Sequence, residues 1–139
     1  MRKNMSFFIM LLLAVSALLS GCNNPSKSPQ PATKVVDSIQ ILFENGENRI
    51  ARQYTAPTKM RAILNYLRWI NPYGTPQENP DIIHTNTFRI VMHFADGSEK
   101  TYLQKADRYM QIDGKAWQFI DAENARTLSE MVAKMESDI

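Results

Sequence analysis

The stretch Phe88-Arg89-Ile90-Val91-Met92-His93-Phe94-Ala95-Asp96-Gly97-Ser98-Glu99-Lys100-Thr101-Tyr102 decides how this chain folds. Phe88, Ile90, Met92 and Phe94 recur at every second position, the period that sets side chains on one face of a β-strand. The run breaks at Asp96-Gly97, a hairpin signal because glycine takes positive φ without a Cβ clash. Two registers are open. A two-residue Asp96-Gly97 loop puts Tyr102 on the face opposite Phe88, Ile90, Met92 and Phe94. A three-residue Ala95-Asp96-Gly97 loop with a bulge at Gly97 shifts the pairing by one and sets Tyr102 beside Met92. The second is expected, since it buries the aromatic ring.

The same chemistry recurs on both sides. Glu44-Asn45-Gly46 follows the alternating Ile39, Ile41 and Phe43, and Ile112-Asp113-Gly114 precedes Trp117 and Phe119, which are expected to enter the core together. Three such turns predict three hairpins, or six strands. After the first hairpin, Pro57 suits a first helical turn, and Met60, Ile63, Leu64, Leu67 and Ile70 fall on one helical stripe that stops before Pro72. A second helix begins after Asp121, an N-cap residue, has Glu123 in its first turn, and buries Ala125, Leu128, Val132 and Met135. The order ββα-ββββα predicts an α+β fold: an antiparallel, meandering sheet of about six strands with two helices on one face.

The N-terminal end has a different grammar. Arg2 and Lys3 precede an apolar run from Phe7 to Leu19, which is followed by the small pair Ser20-Gly21. These are the charged, apolar and small-residue zones of a secretory leader. The run is shorter than the roughly 20 residues a helix needs to cross the hydrocarbon core. Leu19-Ser20-Gly21-Cys22 resembles the lipobox of bacterial lipoproteins, in which Leu, a small residue and Gly or Ala precede a cysteine. The resemblance covers residues 1 to 22. It implies that residues 1–21 are a signal peptide removed by cleavage and that Cys22 becomes the first residue, with diacylglycerol on its sulfur and an acyl chain such as palmitate on its amino group. It further implies that the protein is held by lipid at the extracytoplasmic side of a cell membrane, inner or outer. Cys22 is also the only cysteine among 139 residues, so it has no disulfide partner within the chain, and acylation would consume its thiol.

Residues 22–33, the acylated cysteine and then Asn-Asn-Pro-Ser-Lys-Ser-Pro-Gln-Pro-Ala-Thr, hold too little apolar surface to fold and read as a flexible tether. In polyproline-like conformation it would reach up to roughly 30 Å. Residues 34–139 form a single domain's length with enough aliphatic and aromatic residues for a core. The chain carries 16 Lys+Arg and 14 Asp+Glu, and because Arg2 and Lys3 leave with the leader the two signs then balance. That balance argues against nucleic acid as a partner, which calls for a net basic face.

No pattern declares a catalytic group: there is no serine in a G-x-S-x-G context, no glycine-rich phosphate cradle, and Asp96, Glu99, Asp107 and Asp113 sit where hairpin ends ordinarily carry acids. Asp81, His84 and His93 offer metal-ligand atoms without the spacing of a known metal motif, so neither metal nor cofactor is expected. Two surface candidates remain. Tyr66, Trp69 and Tyr73 lie away from most of the apolar stripe of the first helix, as for a protein or peptide partner in the cell envelope, unless the proline-rich loop after the helix folds back over Trp69. Lys100, Lys105, Arg108 and Lys115 interleave with Tyr102, Tyr109 and Trp117, as for an anionic polymer or small ligand, or as a solvated strand face. The expected function is a lipid-anchored binding module, with a small envelope hydrolase or ligand-processing enzyme as the alternative.

Overall fold

In the computed structural model, which describes residues 32–80 and 86–139, the first hairpin joins β1 (Val36–Asn45) to β2 (Asn48–Tyr54) through Gly46 and Glu47. Helix α1 (Pro57–Trp69) then crosses to β3 (Thr87–Phe94), followed by β4 (Glu99–Lys105), β5 (Tyr109–Ile112), the two-residue β6 (Gln118–Phe119) and helix α2 (Ala122–Lys134). The six strands make one antiparallel sheet in the order β2-β1-β3-β4-β5-β6. Because α1 carries the chain over the sheet, β3 pairs with the side of β1 that β2 leaves free. The leader with Cys22, the tether as far as Pro31, and Asp81 and His84 lie outside the described residues.

The hairpin between β3 and β4 takes the three-residue form. Gly97 stands at φ 83° and its N–H donates to the Phe94 carbonyl at 2.9 Å, so Ile90 faces Tyr102 and Met92 faces Lys100. Tyr102 thus joins the core face, its direct partner being Ile90 and its diagonal neighbour Met92. The β4–β5 turn has no glycine: Ala106 and Asp107 themselves take positive φ, at 55° and 52°.

Both helices cover the face formed by Ile39, Ile41, Tyr54, Phe88, Ile90, Met92, Tyr102 and Met110, and they contribute Ile63, Tyr66, Ile70, Ala125, Leu128 and Val132 to it. Helix α1 is rotated relative to the expected stripe. Ile63, Tyr66 and Ile70 are buried, whereas Met60, Leu64 and Leu67 flank the core. The rotation has a polar cause. The Tyr66 hydroxyl donates to Oε1 of Gln104, a fully buried β4 residue whose amide also reaches the Ala125 carbonyl of α2 at 3.3 Å and the Asp107 carboxylate at 3.4 Å. One amide therefore ties the sheet to both helices. Burial pushes the Tyr66 hydroxyl pKa well above its ordinary value, and this outweighs the opposing effect of the Gln104 bond.

Both helix starts are capped, by different means. In α2 the N-cap Asp121 accepts from the Asn124 N–H at 2.9 Å. Helix α1 has Ala56 at this position and no acid in its first turn. The negative charge that its positive N-terminus favours comes instead from Asp138. Asp138 Oδ2 accepts the N–H groups of Thr55 and Ala56 at 2.8 Å each, and Oδ1 pairs with Lys59 Nζ at 2.5 Å. The Lys59 bond first, then the two amides, lower its pKa to about 2. Beside it, Ser137 Oγ and the Asp138 N–H bond Gln53, covering part of the outer edge of β2.

Candidate functional site

The three aromatics near the end of α1 part company. Tyr66 turns into the core and is only 7% exposed. Trp69, one turn on, is 77% exposed. It stands at a groove of about 350 Å³ between the helices, lined by Ala62, Tyr66, Ile70, Asn124, Thr127 and Met131. Arg61 and Arg68 are exposed on the same helix, and among the described residues neither has an ion-pair partner.

Among the described residues, those after α1 do not cover Trp69. Asn71, at φ 44°, ends the helix in a left-handed conformation, and Pro72 directs the chain away. Tyr73 then pairs with Phe119 through two backbone bonds, its N–H donating to the Phe119 carbonyl at 2.9 Å and its carbonyl accepting from the Phe119 N–H at 2.8 Å. Gly74 follows at φ 60°, and a Cβ there would lie 3.4 Å from the Phe119 ring. Tyr73 therefore extends the edge of β6 and belongs to the sheet, not to the Trp69 surface.

This pairing builds a second surface on the sheet face away from the helices. Lys105 faces Tyr109 across β4 and β5, Tyr109 faces Phe119 across β5 and β6, and Phe119 faces Tyr73. Directly opposed residues point the same way, so the four form a row perpendicular to the strands. Ring centroids are 5.7 Å apart between Tyr109 and Phe119 and 6.0 Å apart between Phe119 and Tyr73. Lys105 Nζ lies 5.5 Å over the Trp117 ring. Trp117 and Phe119 are thus half-buried on the open face and do not enter the core. The β4–β5 turn sets a register that gives the core side of β5 to Met110, and Phe119 follows Tyr109 to the other side.

The basic cluster divides between the two faces. Lys100, opposite Met92, is on the helix side with its ammonium 5.3 Å over the Tyr102 ring. Lys105 is on the open face. Arg108 is exposed in the β4–β5 turn, and Lys115 is exposed in the loop whose carbonyl accepts from Gln111 Nε2 at 2.8 Å.

The acids near the turns serve those turns. Asp96 accepts from the Ser98 hydroxyl and N–H, which with Lys34 lowers its pKa, and Asp113 accepts from the Thr101 N–H at 2.8 Å. Glu99 stands 2.9 Å from His93 Nδ1 across the β3–β4 pair. Among the described residues no three His, Cys, Asp or Glu side chains gather as a metal site would require. Compared with known protein families, curated proteins and solved structures, the chain matches none.

Proposed function

We propose that this protein is a lipid-anchored, extracytoplasmic binding module whose contact surface for a protein or peptide partner centres on Trp69. One observation carries the binding reading: an indole 77% exposed at the mouth of an apolar groove between two helices. Tryptophan is among the residues whose burial contributes most to association, and a groove walled by Ala62, Ile70 and Met131 accepts one apolar side chain of the partner beside it. Arg61 and Arg68 favour a partner segment with acidic residues around that anchor.

The anchoring reading rests on the four lipobox positions and on the cysteine having no second thiol in the chain. Among the described residues no helix is long and apolar enough to cross a membrane. Two experiments test the two halves. Cys22→Ser should abolish labelling of the full-length protein by a radioactive fatty acid; labelling that persists refutes the anchor. Trp69→Ala should lose the envelope protein that cross-links to wild type while melting within about 2 °C of it, since surface changes lie within ±0.5 kcal/mol. Retained cross-linking refutes Trp69 as the contact.

A further inference from the structure

We infer that the aromatic row on the open sheet face is a binding site for an anionic polysaccharide, separate from the Trp69 surface. Tyr109, Phe119 and Tyr73 lie in line across three neighbouring backbone segments, their rings spaced by 5.7 and 6.0 Å and tilted by 37° and 33° to one another. The spacing follows from the separation of paired strands, about 4.8 Å, so the row is a rigid product of the sheet. Tyr73, at 57% exposure, leaves the end of the row open to solvent.

A row of ring faces at this interval suits a chain of hexoses, each of which has one C–H-rich face to lie on an aromatic ring. Polar groups border it. Gln111 donates to the Lys115 carbonyl through Nε2, which leaves its Oε1 to accept from a sugar hydroxyl. Lys105 stands at one end of the row with its ammonium over the Trp117 ring, Arg108 lies in the turn before β5 and Lys115 in the loop after it, and among the described residues none has an ion-pair partner. The nearby carboxylates Asp107, Asp113 and Asp121 accept from Gln104, Thr101 and the start of α2, and none of them forms an ion pair with these three cations. Cations free of ion pairs at the end of an apolar row and on either side of it match sugars that carry carboxylates. Nucleic acid would also stack on such rings, and an oligonucleotide competitor separates the two.

The chain has two tryptophans, Trp69 and Trp117, so Trp69→Phe in the full-length protein leaves Trp117 as the only indole, located in the proposed site. Polygalacturonate should change the Trp117 emission saturably, at least about tenfold more tightly than neutral dextran, and increasing salt should weaken it. On the same background Tyr73→Ala should weaken binding about fivefold to tenfold. The triple change Lys105→Gln, Arg108→Gln, Lys115→Gln should remove the preference over dextran, with each variant shown folded by its thermal melt. No saturable change, equal response to dextran, tighter binding of oligothymidylate, or an unaffected Tyr73→Ala variant would each overturn the assignment. Since Trp69 is already replaced, the result is independent of whether Trp69 binds a partner.

Discussion

Replacing Tyr66 by Phe removes one oxygen from the core and tests whether a single amide organises this fold. Gln104 is fully buried, and its Oε1 has the Tyr66 hydroxyl as its donor, whereas its Nε2 makes only long bonds, at 3.3 and 3.4 Å. Losing the hydroxyl leaves a buried carbonyl oxygen without a partner, at a cost of about 1–3 kcal/mol. For a domain of this length that is a loss of roughly 5–15 °C in Tm, or about 1 M in urea midpoint at an ordinary slope. Gln104→Met should cost a similar amount by stranding the hydroxyl. The double variant has neither orphan, so it should recover about 1–2 kcal/mol of the summed cost. The assay is urea denaturation of the four proteins with a common slope. A Tyr66→Phe change of less than about 0.5 kcal/mol, or single effects that simply add in the double variant, would refute the reasoning.

The same hydroxyl sets an alkaline limit. Its folded pKa is raised, so the stability it contributes is complete below the unfolded value near pH 10 and declines as pH rises from there toward the folded value; Tyr66→Phe should flatten that decline in melts between pH 9 and 12, leaving the part due to Tyr54, whose pKa burial also raises. Asp138 sets an acid limit of opposite sign. Its pKa is lowered to about 2, so its contribution is complete above pH 4 and lost as pH falls toward 2, and Asp138→Asn should lower Tm at pH 7 and remove most of this dependence, as acid titration followed by circular dichroism would show. Gly74→Ala should destabilise by about 1 kcal/mol or more in thermal melts, because the left-handed φ of 60° strains any Cβ and the new methyl meets Phe119; an unchanged Tm would mean that the Tyr73 pairing contributes little. Leu128→Ala, in the fully buried centre of α2, should cost about 2–5 kcal/mol in denaturant titrations, whereas Arg126→Ala on the exposed side should stay within about 0.5.

Local pattern alone determined most of the architecture. The alternation of Phe88 through Phe94, the turn glycines and the helical stripe of Ala125, Leu128 and Val132 each depend on neighbours within a few residues, and they were enough for the ββα-ββββα order and for the α2 core face. The bulge at Gly97 was legible for a related reason: only one of two registers buried Tyr102. Tertiary contact decided the rest. Tyr66 became core because Gln104, 38 positions away, accepts its hydrogen bond, and the start of α1 took its negative charge from Asp138, 82 positions from Ala56. Tyr73 left Trp69 for Phe119 because two unpaired backbone groups at the sheet edge offered it hydrogen bonds. Side-chain periodicity records which face of an element is apolar. It does not record which distant polar group completes a hydrogen bond, and at Tyr66, Asp138 and Tyr73 that completion placed the residues from which the surfaces of this protein are built.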